Sequence, residues 1–96
     1  MGIFRPLGEG PGPVTLAADT SVAVPVGAAR SFWVHSTVIT WITVTNDGTP
    51  FTLDETNATL IAANAVYGPF QFMTGYDTHV HLAGDGVTGA AIVTLA

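Results

Sequence analysis

The fold is decided by residues 30–48, RSFWVHSTVITWITVTNDG. The run is rich in β-branched and aromatic residues, which favour strands, and it ends in Asn46-Asp47-Gly48, a strong turn signal. A single strand of about 14 residues would extend over about 46 Å at roughly 3.3 Å per residue, which is too long for a domain of this size. We therefore predict that the run bends near Ser36-Thr37 and forms two strands.

Shorter strand signals lie on both sides of this run. Residues 22–27 alternate valine with smaller residues, and Pro25 predicts that this strand lies at a sheet edge. Gly84-Asp85-Gly86 predicts a turn before a last strand, and only residues 57–66 have a helical alternative, with Asn57 as its cap. About seven to nine short strands, spaced by roughly 8–12 residues, predict an all-β protein. The expected fold is an antiparallel β-sandwich of jelly-roll type.

The N-terminal residues differ in composition from the rest of the chain. Residues 1–13 contain four glycines and three prolines and show neither strand nor helix periodicity. We predict an extended N-terminal arm over 1–13 and a single β-sandwich domain over 14–96. The arm's apolar residues, Ile3, Phe4 and Leu7, are too few to form a core and are candidates for contact with a neighbouring subunit.

Charge is scarce in this chain and narrows the possible partners. Only 9% of the residues are charged, 48% are hydrophobic, and Arg5 and Arg30 are the only cations. A net charge of −5 argues against nucleic acid and against anionic membranes, because both require clustered basic residues. A small domain cannot bury half of its residues, so part of the surface is apolar and is best covered by a partner. The composition predicts a homo-oligomer.

The alternation of side chains along residues 30–45 assigns two faces. If the register is unbroken, Phe32, Val34, Val38, Ile42 and Val44 face the core, and the outer face carries Trp33, His35, Ile39 and Trp41. Of these outer residues, Trp33, Ile39 and Trp41 are predicted interface residues. Two alternatives remain open. A bulge that shifts the register would bury one tryptophan, and exposed tryptophans with Tyr67 and Tyr76 nearby would form a platform for sugar rings.

Histidines suggest a second outer surface. Asp77, His79 and His81 share one face if their segment is a strand, and two imidazoles with a carboxylate are able to bind zinc. The simpler interpretation is a polar outer face opposite Thr78, Val80 and Leu82. We therefore predict no metal site and assign His79 and His81 to a subunit interface.

No motif supports catalysis or cofactor binding. Residues 84–89 fit the glycine pattern of dinucleotide-binding loops, but the helix that this pattern requires does not follow. His35 and Ser36 are adjacent, as are Asp54 and Glu55, so in a strand the members of each pair point to opposite faces. The absence of cysteine excludes disulfides and thiolate zinc sites. We predict no enzymatic activity and no cofactor.

The second half of the chain carries a family resemblance. Gly68 to Phe72 and Thr88 to Leu95 resemble the closing strands of small virion proteins of tailed bacteriophages. The resemblance implies a capsid cement, or decoration, protein: a jelly-roll-like structural subunit, often a homotrimer, that binds the major capsid protein and reinforces the outer shell. No secretion signal is visible, so we expect synthesis in the host cytoplasm and a final location on the virion surface. The alternative function is a carbohydrate-binding β-sandwich for host attachment.

The composition generates a first testable prediction. Because an apolar, charge-poor surface is stabilised by association, the isolated protein is expected to be an oligomer at micromolar concentration. Light scattering after gel filtration measures its mass directly. A species of 9.9 kDa, the mass of one chain, would contradict this interpretation of the composition.

Overall fold

The computed structural model describes residues 12–73 and 75–96, which form eight strands in two four-stranded antiparallel sheets packed face to face. The strands are β1 (Gly12–Leu16), β2 (Val22–Pro25), β3 (Ser31–Ser36), β4 (Thr40–Thr45), β5 (Thr59–Ile61), β6 (Val66–Gln71), β7 (His79–Gly84) and β8 (Gly89–Leu95). Sheet I has the order β1-β8-β3-β6 and sheet II the order β2-β7-β4-β5. The predicted all-β sandwich is confirmed, and the strand order is that of a jelly roll.

The predicted bend in the long run is confirmed. β3 ends at Ser36 and β4 begins at Thr40, and the two strands belong to different sheets. The buried Ser36 and Thr40 hydroxyls both donate hydrogen bonds to the Val38 carbonyl, at 2.9 and 2.7 Å. The run therefore crosses from one layer to the other through a short turn that its own polar side chains hold.

Other predictions about the elements have mixed outcomes. Pro25 lies in β2, which is an edge strand of sheet II, and the turn at residues 84–86 joins β7 to β8. β1 begins at Gly12, opposite Val93 of β8, two residues before the predicted start of the domain. The predicted interface residues Ile3, Phe4 and Leu7 lie outside the described residues.

The helical alternative for residues 57–66 is wrong. Part of this segment is β5, in which Leu60 pairs with Trp41 of β4, and the chain then turns into β6. Asn57 does not cap a helix. Its side chain accepts a hydrogen bond from the Asp54 N–H and donates one to the Thr52 carbonyl, and both bonds close a loop. Pairing with β4 outweighs the helix propensity of the neighbouring alanines.

The core lies between the two sheets and matches the predicted inner face. Phe32 and Ile42 are buried, and Phe32 packs against Phe70 and Phe72 with ring centroids 5.1 and 4.9 Å apart. The buried apolar cluster comprises Leu16, Val24, Val26, Phe32, Val34, Ile42, Ile61, Phe72, Val80, Leu82, Ala91 and Val93. Every strand of the sandwich except β6 contributes to it.

Gly68 of β6 permits the backbone of Phe32 and the side chain of Trp33, both in β3, to lie unusually close to β6. Gly68 has φ +137°, and a Cβ there would lie 2.8 Å from the Phe32 carbonyl oxygen and 2.9 Å from Cδ1 of Trp33. The register between β3 and β6 shifts at this point, between Phe32 and Val34. The Trp33 indole therefore lies against a position of β6 that only glycine fits.

This close approach predicts a large effect of Gly68→Ala. We expect it to reduce the free energy of unfolding by about 2–3 kcal/mol, because it adds a clash to a backbone conformation that side chains rarely adopt. The matched control is Gly27→Ala. Gly27 also has a positive φ, +57°, but a Cβ there meets nothing within 4 Å. Urea denaturation measures the free energy of unfolding of both variants. If Gly27→Ala loses as much as Gly68→Ala, the close contact with β3 is not the cause of the loss.

Candidate interaction surface

The outer face of sheet I carries a row of four exposed residues, one from each strand. Pro13 of β1 lies opposite Ile92 of β8, which lies opposite His35 of β3, which lies opposite Val66 of β6. Ile92 is 46% exposed and Val66 67%. Directly opposed residues in neighbouring strands have their Cβ atoms about 5 Å apart, so the four form one continuous band across the sheet.

The band is flanked by further uncharged residues. On one side Trp33 lies opposite Thr94, and on the other Ala90 lies opposite Thr15. The four strands of sheet I contain no aspartate, glutamate, lysine or arginine, and His35 is the only titratable residue of the band. The charged residues among 12–73 and 75–96 all lie in the connections between strands: Asp19, Arg30, Asp47, Asp54, Glu55, Asp77 and Asp85.

The outer face of sheet II is different, because the chain itself covers the part of it around His81 of β7. The connection between β4 and β5, residues 46–58, runs beside residues 19–21: the Ser21 N–H donates to the Phe51 carbonyl, and the Leu53 N–H to the Asp19 carbonyl, both at 2.8 Å. The Phe51 ring lies 4.9 Å from the His81 ring of β7. Leu53 is 1% exposed but lies outside the inter-sheet core cluster. Sheet II thus has a small second core on its outer face.

His81 is at the centre of this second core, with no exposed surface. Its Nε2 lies 2.7 Å from the Asp47 carbonyl oxygen and 3.0 Å from the Thr45 hydroxyl, and its Nδ1 lies 2.8 Å from the Ser21 hydroxyl. A carbonyl only accepts, so we assign the proton of the neutral ring to Nε2. Nδ1 then accepts from Ser21, whose oxygen accepts from the Phe51 N–H at 3.0 Å. The network leaves no member unpaired.

The prediction that His81 contacts a partner is therefore wrong. The alternation along β7 places His81 on the outer face correctly, but the 46–58 connection buries that face. Nothing in the residues around His81 signals this cover. The signal lies in Phe51 and Leu53, whose apolar alternation directly follows the Asn46-Asp47-Gly48 turn.

The Ser21–His81 hydrogen bond resembles part of a nucleophile–base pair, but its surroundings are those of a structural contact. Both side chains are buried. The second ring nitrogen faces a backbone carbonyl, whereas the Asp47 carboxylate accepts from the Thr49 N–H at 2.8 Å. The Ser21 hydroxyl already serves two partners, the His81 Nδ1 and the Phe51 N–H.

The remaining members of the predicted histidine face do not converge. The Nδ1 of half-buried His79 lies 2.7 Å from the Thr78 hydroxyl, and its ring lies against Gly48. Asp77 points elsewhere and accepts from the Met73 N–H at 2.8 Å. Within residues 12–73 and 75–96, no three metal-ligating side chains form a group. His79 as an interface residue stays a prediction.

The two tryptophans do not share a face, because the chain changes layers between them. Trp33 and His35 lie on the outer side of sheet I, whereas Trp41 lies on sheet II, with Leu60 and Ala83 opposite it on either side. Ile39 is 47% exposed in the turn between the two sheets. The predicted outer set thus splits, and Tyr67 packs against the core. These aromatic residues do not form a common platform.

A groove opens at the edge of the sandwich where β6 faces β4 and the 55–59 loop. Its volume is about 490 Å³. Its apolar surface comes from Phe32 and Phe70 of sheet I and from Ile42 and Val44 of sheet II, and the loop contributes Glu55. The groove is lined by Phe32, Ile42, Thr43, Val44, Glu55, Thr56, Asn57, Ala58, Thr59, Phe70 and Gln71.

Two carboxylates, those of Asp47 and Asp54, accept hydrogen bonds within the 46–58 connection. The Thr49 N–H, which donates to the Asp47 carboxylate, lowers the pKa of Asp47 below its ordinary value of 3.8. The Thr56 hydroxyl and the Thr56 N–H both donate to the Asp54 carboxylate and lower the pKa of Asp54 below 3.8. The ionised form of each aspartate is therefore the one that the folded loop favours.

Comparison with known proteins leaves the geometry as the basis for assigning a function. No protein-family model matches the chain, and searches of curated proteins and of solved structures found no significant match. The described residues include no helix long and apolar enough to cross a membrane.

The buried network predicts the effect of Ser21→Ala. The substitution leaves the Phe51 N–H and the His81 Nδ1 without their partner in a buried site, so we expect a loss of about 1–3 kcal/mol in the free energy of unfolding. The control is Ser31→Ala, at a serine whose side chain forms no hydrogen bond within the described part of the chain; we expect a change within about 0.5 kcal/mol. Equal effects in urea denaturation would show that the network does not stabilise the fold.

The lowered pKa values predict a loss of stability in acid. The contribution of each aspartate is complete above pH 3.8 and is lost as the pH falls through the lower pKa of the folded state. Melting temperatures should therefore fall less steeply below this pH in Asp47→Asn and Asp54→Asn than in the parent. The control Asp85→Asn removes an exposed carboxylate outside the 46–58 connection. Circular dichroism measures the melting temperatures. If melting temperature depends on pH in the same way in all four proteins, the prediction is contradicted.

Proposed function

We propose that this chain is a structural virion protein, a capsid cement subunit that binds the outer shell of a tailed bacteriophage through the outer face of sheet I. The observation that carries the proposal is the uncharged band Pro13–Ile92–His35–Val66, on a sheet face that none of residues 12–73 and 75–96 covers. Interface centres are depleted of charged residues, and contiguous exposed apolar surface marks interaction sites. A hydrogen-bonded sheet also presents this surface without a conformational change.

The distribution of charge supports this orientation. Four carboxylates in the described connections between strands are exposed, those of Asp47, Asp54, Glu55 and Asp85, whereas the sheet I strands carry none of the chain's net charge of −5. Asp77 is half-buried, as is Asp19. A subunit of this kind keeps its charges in water when the sheet is covered by a shell protein.

The size of the face favours several subunits acting together. Four strands about 4.8 Å apart, each about five residues long, cover roughly 300 Å² in plane. A stable one-to-one interface buries about 800 Å² on each partner, so one subunit alone would bind weakly. Three linked subunits on a repetitive shell gain affinity through effective concentration. A homotrimer that engages neighbouring copies of the major capsid protein fits this requirement.

The alternatives receive less support from the geometry. A sugar platform built from the two tryptophans is not assembled, because they lie on different sheets. An enzymatic role would have to use a site other than the buried Ser21–His81 pair. The binding of a structural partner therefore remains the function that the surface supports best.

The proposal predicts opposite outcomes for two matched lysine substitutions. Ile92→Lys puts a charge in the centre of the band and should abolish binding to shells assembled from the major capsid protein of the same virus. Val87→Lys, at a residue 47% exposed in the β7–β8 turn, should bind as the parent does. Co-sedimentation with the shells measures binding, and circular dichroism checks the fold. Unchanged binding by Ile92→Lys would exclude the outer face of sheet I as the docking surface.

A further inference from the structure

The groove beside β6 exposes an unfinished strand edge. β5 pairs only with Thr40, Trp41 and Ile42, whereas β4 continues to Thr45. Beyond Ile42, no strand of the described chain lies on this side of β4. In an antiparallel sheet the backbone groups of successive residues point alternately to the two sides. The Asp85 N–H donates to the Ile39 carbonyl, so the backbone groups of Ile39 point toward β7. Val44 is five residues further along, an odd number, so its N–H and C=O point away from β7 and into the groove.

The groove combines three features that suit an extended peptide. The backbone groups of Val44 offer one donor and one acceptor at an open edge. The side chains of Phe32, Phe70 and Ile42 form an apolar floor, and the exposed Glu55 supplies a negative charge at the rim. Strand addition of this kind obtains affinity from main-chain hydrogen bonds and specificity from side-chain pockets. The matching ligand is a short strand with a large apolar residue next to a cation.

The chain itself contains such a sequence. Ile3-Phe4-Arg5 places two apolar residues directly before one of only two cations in the protein. We propose that residues 3–5 of a second copy of this chain bind in the groove as a strand beside Val44. Phe4 packs against the aromatic floor, and Arg5 lies near Glu55. The proposal does not depend on a capsid role, because both partners are parts of this chain.

A second copy is favoured over the same chain by distance. The described chain enters sheet I through β1, at the edge opposite to β6, which is three strand spacings or about 14 Å away. Phe4 precedes Gly12 by eight residues, a span of at most about 28 Å. A path to its own groove would have to cross the whole sheet and then enter between layers about 10 Å apart, so it would need almost full extension. Exchange between copies has no such limit, and head-to-tail contacts of this type form a ring, such as a trimer, when the rotation between copies closes.

Cysteine cross-linking tests the proposal directly, because the chain has no native cysteine. Full-length Gly2→Cys protein, which keeps Ile3, Phe4 and Arg5, is mixed with full-length Thr59→Cys protein, in which the new thiol lies at an exposed position of the groove, and is oxidised. We expect a mixed disulfide dimer of about twice 9.9 kDa. The control mixture of Gly2→Cys with Asp85→Cys, which lies outside the groove lining, should give at least about tenfold less mixed dimer.

Two results would overturn the proposal. One is equal cross-linking to positions 59 and 85. The other is a Gly2→Cys/Thr59→Cys double variant that forms only an internal disulfide while the single variants give no mixed dimer. That result would place the segment in the groove of its own chain. The cross-linking assay does not involve shell binding. A failure of the groove proposal is therefore distinguishable from a failure of the capsid proposal.

A charge exchange gives an independent test. Arg5→Glu and Glu55→Arg should each weaken self-association about three- to tenfold, because each places like charges together. The double variant Arg5→Glu/Glu55→Arg should return to within about threefold of the parent, as expected for directly coupled residues. Sedimentation velocity over a concentration series measures all four proteins. Additive losses in the double variant would show that these residues do not meet.

Discussion

The architecture depends on the crossing from β3 to β4, where the hydroxyls of Ser36 and Thr40 both bond to the Val38 carbonyl. A jelly roll is built from strands that alternate between layers, and here only the β4–β5 connection returns to the same sheet. The crossing divides the most hydrophobic run of the chain between two sheets. It buries Phe32 and Ile42 in one core and leaves Trp33 and Trp41 on opposite outer surfaces.

The one connection that stays within its sheet also produces the main asymmetry of the molecule. Residues 46–58 do not change layers, so they fold back over sheet II and bury Leu53 and His81 there. No connection in the described part of the chain covers sheet I in this way. A protein of 96 residues with few charges thus has one outer face that its own chain partly covers and one that a partner has room to occupy.

The sequence alone predicted the features that depend on local pattern. Alternation identified the core face of residues 32–44, the length of the run required the bend, and Pro25 marked an edge strand. What it missed depends on contacts between distant segments. The burial of His81 requires Ser21 and Phe51 to meet it, and the pairing of Leu60 with Trp41 overrides a helical tendency. The uncharged band on sheet I likewise exists only because the register aligns four separate strands.

The edges of the sandwich show how a chain with so little charge avoids uncontrolled polymerisation. Open sheet edges add further strands readily, and charged side chains are the usual protection. Here each edge strand in the described structure is protected by other means: β1 contains Pro13, β2 contains Pro25, β6 contains Pro69, and β5 has only three residues. Proline lacks the N–H that a continuing ladder requires. Growth from one sheet into a fibril is thus interrupted at the edge strands, and in the described structure only the short stretch of β4 beyond β5 is left open to an added strand.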